Sequence, residues 1–337
     1  PPPPFSSRRR HTRSTLQSRG LGDVYKRQLI IPIDFSFTQP LYPTPIFRYR
    51  QVKCDAAFDY LFVNGELRPS YEAAIFDRID GNSVYEVIKL IEGVPLFFED
   101  HMARMQRSAA LLGAGIEKPP AQVRAEINEL VEKTGCADIN VKLVWYPGKK
   151  GSIFLTYFVR QDFPDDGAYR RGVHTILYDG ERRNPQIKAV KTSYRERVRA
   201  EREAAGAYEA LLVDDKGFVS EGTRSNLFFL IDHQLCTPPS DAVLLGVTRR
   251  HVMALCRALA IDVQEKMLHK DDLNRIEAAF ITGTTIDILP SGSIGRLQLA
   301  SVGHPVIQTI TRAFTEEVSA CIAAEKTGSS REAAAKN

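Results

Sequence analysis

The pattern of hydrophobic and polar residues becomes regular from about residue 60. Alternating hydrophobic residues around an Asn-Gly pair and a Glu-Gly pair predict two β-hairpins. Hydrophobic residues at three- and four-residue spacing, followed by a glycine or preceded by prolines, predict two helices. In chain order, the predicted elements are a hairpin at 60–67, a hairpin at 83–98, helices at 99–115 and 119–135, and strands at 139–147 and 152–161.

A polar segment rich in turn-forming residues, FPDDGAYRRG at 163–172, marks a predicted loop and domain boundary. The elements predicted after it are a strand at 174–178, a charged helix at about 194–205, short strands within 209–239, a helix at 248–259, strands at 261–264 and 278–282, and a helix at 306–324. Strands mixed with helices predict an α/β (α+β) fold in two domains. The predicted domains are a small one at 58–162 and a larger one at 172–325, followed by a polar tail at 326–337.

The formal net charge of +4 comes from the first 28 residues. They hold seven of the 45 basic residues and one of the 41 acidic residues, which leaves 38 and 40 for the rest of the chain. A body of nearly neutral charge gives no indication of nucleic-acid binding. Residues 1–28 have no hydrophobic periodicity, and they predict a disordered or non-native basic extension.

The cysteines, the histidines and the apolar runs indicate the compartment and argue against a metal site and a membrane span. The five cysteines are odd in number and form no C-x-x-C pair, which indicates free thiols in a reducing compartment, here the cytoplasm. The seven histidines lack ligand spacing, so no metal site is predicted. No apolar run approaches the roughly 20 residues that a membrane span needs, so no membrane helix is expected.

Four segments carry candidate chemistry. Lys188 lies in an otherwise apolar, non-helical stretch, NPQIKAV, and Glu221 lies between predicted strands in VSEGTRSNLFF. LLGVTRRHV and ITGTTIDIL each place a glycine and a threonine just before a predicted helix start. The N–H groups at a helix start suit a phosphate, although ordinary helix capping uses the same residue types. A lysine, a lone carboxylate and two such turns together indicate a phosphorylated cofactor.

These segments occur in the order and spacing of the class IV aminotransferases, which the chain resembles over residues 60–324. The resemblance is carried by IKAVKTSYRERVRAEREAAGAYEALLVDDKGFVSEGTRSNLFFL, CTPP, LLGVTRRHV and AAFITGTTIDILP, and by IFDRIDGNSVYEVIKLIEGVPLFFEDHMARMQRSAALLG upstream. It implies the two-domain architecture of fold type IV enzymes and pyridoxal 5'-phosphate (PLP) as the cofactor. It also implies a homodimer in which each active site includes residues of the neighbouring subunit.

The resemblance assigns a role to each candidate. It implies that Lys188 forms a Schiff base with PLP and moves a proton, and that Glu221 pairs with the pyridine nitrogen. Lys191 is the alternative lysine, although the spacing to GAYEALL favours Lys188. Either Ser193 or Tyr194 is expected to contact the phenolic oxygen of the cofactor. The residues expected at the cofactor phosphate are Arg104, Val247, Thr248, Gly283 and Thr284.

The activity that the resemblance implies is amino transfer between an α-amino acid, branched-chain or apolar, and a 2-oxo acid, 2-oxoglutarate. Tyr85 and Trp145 are expected as pocket walls, and Arg224 as a clamp for the substrate carboxylate. The D-amino-acid transaminases characteristically have an arginine in the strand equivalent to VKLVWYPG, which this chain lacks there. Compared with the family, the stretch before Val84 is about two residues short and lacks an aromatic residue. An aminodeoxychorismate lyase, a D-amino-acid transaminase and a degenerate PLP-binding protein stay open as alternatives.

Overall fold

A computed structural model describes residues 55–70, 76, 83–148, 151–160, 163–181, 185–189 and 193–334. The basic segment at residues 1–28 lies outside this range, so its assignment as an extension stays a prediction. Two β-sheets organise the described chain, one formed by residues 60–159 and the other by residues 173–298. Helices alternate with these strands, which confirms the predicted α/β class.

All neighbouring strands of the first sheet are antiparallel. Its strands are β1 (Tyr60–Val63), β2 (Glu66–Pro69), β3 (Val84–Ile91), β4 (Val94–Pro95), β5 (Ile139–Tyr146) and β6 (Ile153–Val159). Their spatial order is β2-β1-β6-β5-β3-β4. Both predicted hairpins are confirmed. Their turn residues, Asn64-Gly65 and Glu92-Gly93, have φ between +51° and +92°, as tight two-residue turns require.

Two helices, α1 (Phe98–Leu111) and α2 (Pro120–Thr134), cover one face of this sheet and confirm the predicted pair. Along β3 the buried and half-buried residues alternate strictly, so one set of side chains faces the helices and the other set faces away. Val84 and Ile88 pack in the core beneath the helices. Glu86 lies between them in the same alternation and therefore also faces α1, while Tyr85 faces away.

The segment that connects the two sheets differs from its prediction. Residues 163–172, expected to form a polar loop, contain a short helix, α3 (Asp166–Arg171). The carboxylate of Asp165 accepts a hydrogen bond from the Ala168 N–H at 2.6 Å and so caps the helix start. The two sheets lie on either side of this segment in the sequence. The division into two domains stays a prediction.

The second sheet has ten strands and is mixed. They are β7 (Val173–Asp179), β8 (Glu209–Val213), β9 (Phe218–Gly222), β10 (Asn226–Ile231), β11 (Gln234–Thr237), β12 (Val263–Glu265), β13 (Leu268–His269), β14 (Ile276–Gly283), β15 (Asp287–Ile294) and β16 (Leu297–Gln298). The spatial order is β12-β11-β10-β14-β15-β7-β8-β9-β13, and β16 pairs with β15. The pairs β15–β7, β7–β8 and β11–β12 are parallel, and the other pairs are antiparallel.

Three further helices belong to this half: α4 (Ser193–Ala204), α5 (Val247–Ala258) and α6 (Pro305–Ala334). The apolar sides of α5 and α6 pack over the sheet, where the rings of Phe228 and Phe280 stack with centroids 4.9 Å apart. Helix α6 continues well into residues 326–337, which were predicted as a polar tail, because the REAAA segment consists of strong helix formers. No helix in the described part of the chain has both the length and the apolarity to cross a membrane.

One of the two predicted glycine–threonine helix starts is wrong. Gly246 does precede a helix, α5, whose first residue is Val247. In contrast, Gly283 is the last residue of β14, and Thr284 and Thr285 belong to the turn between β14 and β15. The Ile286 N–H donates to the Gly283 carbonyl oxygen at 3.1 Å, which closes this turn. The residues that follow favour a strand, because they contain no helical spacing of hydrophobic residues.

Candidate active site

One cavity brings together every residue predicted to hold the aldehyde, the pyridine nitrogen or the phosphate of the cofactor. It lies where α1, the segment around Lys188 and the second sheet meet. The residues that line it are Arg104, Lys188, Glu221, Arg224, Ser225, Asn226, Leu244, Gly246, Val247, Thr248, Thr282, Gly283 and Thr284. Widely separated parts of the sequence therefore converge on one small space.

The backbone around Lys188 is attached to the start of β3. The Tyr85 N–H donates to the Lys188 carbonyl oxygen at 3.0 Å, and Ala189 forms an isolated β-bridge with Val84. The Lys188 N–H donates to the Ser108 hydroxyl of α1 at 3.4 Å. The Lys188 Nζ lies 4.9 Å from the centre of the Tyr85 ring. This non-helical segment therefore presents its amine beside an aromatic side chain of the first sheet.

Glu221 is a buried carboxylate near the end of β9, with 2% of its surface exposed. Its Oε2 accepts hydrogen bonds from the Asn226 side-chain amide at 3.2 Å and from the Leu244 N–H at 3.1 Å. The same Asn226 amide donates to the Leu244 carbonyl oxygen at 2.8 Å. Asn226 thus connects β10 to the segment before α5 and holds the Glu221 carboxylate at the cavity.

A second buried carboxylate, Glu209, organises the loop between β9 and β10, and the sequence analysis gave it no role. Its Oε1 accepts from the Ala210 N–H and from both the N–H and the hydroxyl of Thr223. Its Oε2 accepts from the Arg224 N–H and the Ser225 hydroxyl. Four of these five hydrogen bonds come from residues 223–225, and they fix the loop that carries Arg224 and separates Glu221 from Asn226.

Arg104 is also tied to a residue that the sequence analysis did not assign, Glu86. The Arg104 Nε and Nη2 donate to the two carboxylate oxygens of Glu86 at 2.7 and 2.5 Å, and the His101 Nδ1 lies 2.8 Å from Oε2. Burial alone would raise the pKa of Glu86, but the charge and hydrogen bonds of Arg104, helped by His101, lower it to about 2. Burial lowers the pKa of His101 despite the attraction of Glu86. Although burial opposes it, Glu86 raises the pKa of Arg104.

The first turn of α5 supplies the predicted anion-binding features. The residue before the helix is Gly246, which has no side chain that could cap the first N–H groups. A Cβ atom at Gly246 would lie 2.1 Å from Asn226 Oδ1, so only glycine fits this close approach. Thr248 is buried in the first turn, and Thr284 reaches the cavity from the β14–β15 turn. A helix N-terminus beside a guanidinium is a favourable environment for a phosphate.

Comparison with known proteins agrees with this geometry. The family described as amino-transferase class IV matches residues 83–294, well over half of the chain. The D-alanine aminotransferase of Bacillus licheniformis is 30% identical over 68% of this chain and 87% of its own length. The chain belongs to the class IV aminotransferases.

Two further relatives of this class IV aminotransferase are named for branched-chain substrates. The branched-chain-amino-acid aminotransferase of Salmonella typhimurium strain LT2 is 25% identical over 76% of this chain and 92% of its own length. The crystal structure of the branched-chain amino acid aminotransferase from Thermobaculum terrenum, in its PLP-bound form, superposes with a TM-score of 0.66 at 23% identity. That match covers 77% of this chain and 94% of the solved chain, and it confirms the fold type IV architecture.

Class IV aminotransferases depend on PLP, and the cavity residues fit this cofactor. Arg104 and the start of α5 suit its phosphate, Glu221 suits its pyridine nitrogen, and the Lys188 amine suits its carbonyl carbon. The Thr282 hydroxyl lines the same cavity and is buried without a hydrogen-bond partner among the described residues. Because buried hydroxyl groups usually have a hydrogen-bond partner, the Thr282 hydroxyl supports the binding of a polar ligand in this cavity.

The edge of the Arg104 guanidinium that is formed by Nε and Nη2 already donates hydrogen bonds within the protein. Arg104 is predicted from the sequence to contact the cofactor phosphate, and a guanidinium can give an anion two parallel hydrogen bonds. In the structure, the Nε and Nη2 atoms give those parallel bonds to Glu86. The Nη1 atom makes one long hydrogen bond, 3.4 Å, to the Leu245 carbonyl oxygen. A phosphate contact would therefore come from the Nη atoms alone.

The residues predicted for the substrate fall in different places. Tyr85 lies beside the Lys188 amine, and Arg224 lines the cavity with an exposed side chain whose Nη2 donates to the Tyr208 carbonyl oxygen at 3.4 Å. Trp145 lies instead in the core beneath α1 and α2, 2% exposed, and is absent from the cavity lining. It pairs with Val84 across the sheet, which places its side chain on the helix-covered face.

Two alternatives from the sequence analysis lie partly or wholly outside the described residues. Lys191, the competing lysine, is one of them. Ser193 and Tyr194, the candidates for the phenolic oxygen, belong to the first turn of α4, but their side chains are outside the described part. Their roles stay predictions.

Proposed function

We propose that this class IV enzyme transfers the amino group of an apolar, branched-chain α-amino acid to 2-oxoglutarate, with Lys188 as its catalytic residue. The observation that supports this proposal best is the convergence of Lys188, Glu221 and Arg104 on one cavity with the first turn of α5. Together these residues supply an amine, a carboxylate and a phosphate site, which are the groups a PLP-dependent transaminase requires.

Each residue then has a distinct chemical role. When bound, the cofactor supplies an electron sink for the charge that develops at the substrate Cα. The Lys188 amine would hold the cofactor covalently, and it would take and return the substrate Cα proton as a general base and acid. Glu221 keeps a proton on the pyridine nitrogen. Arg104 and the Thr248 region hold the phosphate.

The side of the cavity next to Lys188 supports an apolar substrate. Tyr85 faces away from α1 and packs against a buried cluster that contains Val144, Leu155 and Tyr157. A substrate side chain beside the Lys188 amine would therefore meet an aromatic ring backed by apolar residues. Arg224, which lines the same cavity, is the proposed clamp for the carboxylate. The name of the Salmonella typhimurium relative points in the same direction.

We further propose that the enzyme is a homodimer of the cytoplasm. The dimer follows from the resemblance to the family. The cytoplasmic location follows from the cysteines, because those in the described residues, Cys136, Cys236, Cys256 and Cys321, are all free thiols. Sedimentation at micromolar concentration checks the first proposal, and a fully active monomer would contradict it.

The test of the proposed reaction is a donor screen on the PLP-loaded enzyme. L-Valine, L-leucine, L-isoleucine and D-alanine are each supplied with 2-oxoglutarate, and glutamate formation is measured. We expect the three branched-chain donors to give the highest kcat/KM. A preference for D-alanine would overturn the substrate assignment. Pyruvate release from aminodeoxychorismate without an amino acceptor would indicate a lyase.

The lysine assignment is tested on the same preparation. Borohydride should fix the cofactor irreversibly to the peptide that contains Lys188, and Lys188→Ala should lose activity by a factor of about 100 to 10,000 or more. Lys191→Ala is the matched control, and we expect it to keep most of the activity. A cofactor adduct on Lys191 would show that the wrong lysine has been assigned, even though the family is established.

A further inference from the structure

A second cavity, of about 230 Å³, lies along α5. Four of its lining residues are arginines and two are acids, and we call it the arginine cleft. The arginines are Arg107, Arg249, Arg250 and Arg257, and the acids are Asp100 and Glu265. Charged side chains of the cleft therefore sum to +2, whereas the chain beyond residue 28 is nearly neutral.

Two of the four arginines are neutralised inside the cleft. Arg249 Nη2 lies 2.9 Å from a carboxylate oxygen of Glu265, and Arg250 forms an ion pair with Asp100. The other two, Arg107 and Arg257, form no ion pair with any residue that the structure describes. Arg107 belongs to α1 and Arg257 to the last turn of α5, so the excess positive charge comes from two helices that face one space.

Arg249 shows that the cleft is more than a group of surface arginines. Its side chain is buried, with 5% of the residue exposed, and its Nη atoms donate to the Ser240 hydroxyl and the Pro238 carbonyl oxygen. Its Nε is buried and has no hydrogen-bond partner within the described residues. Buried donors are nearly always satisfied in folded proteins, so this N–H is a polar feature that the chain itself does not use.

The arginine cleft is separate from the cofactor cavity but shares a wall with it. Gly246 and Val247 line both cavities. Leu245 lines the arginine cleft, and its carbonyl oxygen accepts the hydrogen bond from Arg104 described above. A group bound in the cleft would therefore lie behind the segment that leads into the first turn of α5.

We propose that the arginine cleft binds a compact dianion, either a phosphate monoester or a small dicarboxylate, at a site distinct from that of the cofactor phosphate. A guanidinium presents two parallel N–H groups that match two oxygens of either anion. The charge of −2 balances the excess charge of the cleft. Arg107 and Arg257 bind the anion directly, and the buried Arg249, paired with Glu265, forms a fixed part of the wall of the cleft.

The experiment is a calorimetric titration of the PLP-loaded enzyme, in which the phosphate site of the active site is already filled. Inorganic phosphate is the probe in one arm and malonate in the other, both at constant ionic strength maintained with NaCl. We expect one saturable site per chain for at least one of the two anions. The arm that saturates identifies the chemical source, a phosphoryl group or a dicarboxylate.

The variants Arg107→Ala/Arg257→Ala and Arg107→Gln/Arg257→Gln should weaken that binding about tenfold or more. Both residues are exposed and lie outside the proposed catalytic machinery, so folding and transamination should be retained. Arg296→Ala, at an exposed arginine of the β15–β16 turn, is the matched control and should bind as the wild type does. Equal affinity in the wild type and both double variants, or no saturable binding of either anion, would overturn the proposal.

Discussion

Glu86 and Arg104 form a buried, two-point ion pair at the edge of the cofactor cavity. Glu86 projects from β3 of the first sheet and Arg104 from α1, and both carboxylate oxygens accept guanidinium hydrogen bonds. A guanidinium held on one edge in this way cannot rotate freely. The ion pair therefore determines which donors of Arg104 remain for the proposed phosphate contact.

Replacing Glu86 should weaken both the fold and the cofactor site. In Glu86→Gln the Arg104 charge stays buried without its counter-charge, and breaking one side of such a pair costs about 3–5 kcal/mol of unfolding free energy. Urea denaturation checks this loss. We also expect a higher Kd for PLP. Glu66→Gln, which removes an exposed partner of Arg68, is the control and should change neither quantity. A stable Glu86→Gln protein with unchanged PLP affinity would contradict the positioning role.

The same cluster predicts sensitivity to acid. The folded-state pKa of Glu86, about 2, lies below its ordinary value of 4.5, so its contribution is complete above pH 4.5 and is lost as the pH falls toward 2. The pKa of His101 is also lowered from 6.5, so protonation of the unfolded chain begins to oppose folding below about pH 6.5. The free energy of unfolding should therefore fall steadily from pH 7 to pH 3.

His101→Gln separates the two contributions to this pH dependence. It should flatten the unfolding free energy between pH 6.5 and pH 5 while leaving the steeper loss at lower pH, which belongs to Glu86 and other carboxylates. If His101→Gln and wild type have parallel profiles over that interval, His101 is not titrating as proposed.

Glu209 is predicted to control the active site without touching it. In Glu209→Gln an amide NH₂ replaces one of two oxygens that accept hydrogen bonds, so at least one buried donor of the 223–225 loop loses its partner. Each such loss costs about 1–3 kcal/mol. We expect faster hydrogen exchange at residues 222–226 and a lower kcat, because the loop also positions Glu221. Glu203→Gln, at an exposed carboxylate of α4, is the control. Unchanged exchange and kcat would exclude a positioning role.

Gly246→Ala tests the close approach at the start of α5. The new Cβ would lie 2.1 Å from Asn226 Oδ1, so Asn226 must move and release Glu221 and Leu244. We expect a PLP Kd raised by about tenfold or more, a change of about 1.4 kcal/mol in binding free energy. Gly115→Ala is the matched control, because a Cβ there has no atom within 4 Å. Equal PLP affinity in the two variants would show that the glycine is not required for cofactor binding.

Local sequence signals predicted most of the elements, because each element has a physical cause within a few residues. The Asn-Gly and Glu-Gly pairs specify tight turns, and helix α2 has its prolines and its glycine at the expected ends. The glycine–threonine turns show the limit of such signals. Gly246 and Gly283 begin similar tripeptides, yet only the first leads into a helical spacing of hydrophobic residues.

The partners of buried charges depend on contacts between distant elements. Glu86 sits among the inward-facing positions of β3, so its burial could have been inferred from the alternation, but its pairing with Arg104 required the docking of α1. For Trp145, the sequence pattern does not decide between two locations. A large aromatic residue in a strand suits a core or a pocket equally, and only its register opposite Val84 shows that it faces the helices.

The attachment of Lys188 to β3 makes the position of the proposed catalytic amine depend on the first sheet. Its carbonyl oxygen and the neighbouring Ala189 are bound by Tyr85 and Val84, whereas Glu221 belongs to the second sheet. Any hinge motion between the sheets would change the separation of Lys188, the proposed proton-transfer group, from Glu221, the proposed partner of the pyridine nitrogen. Substitutions that disturb the packing deep in the first sheet should therefore misalign Lys188 relative to Glu221, even when every residue that lines the cavity is unchanged.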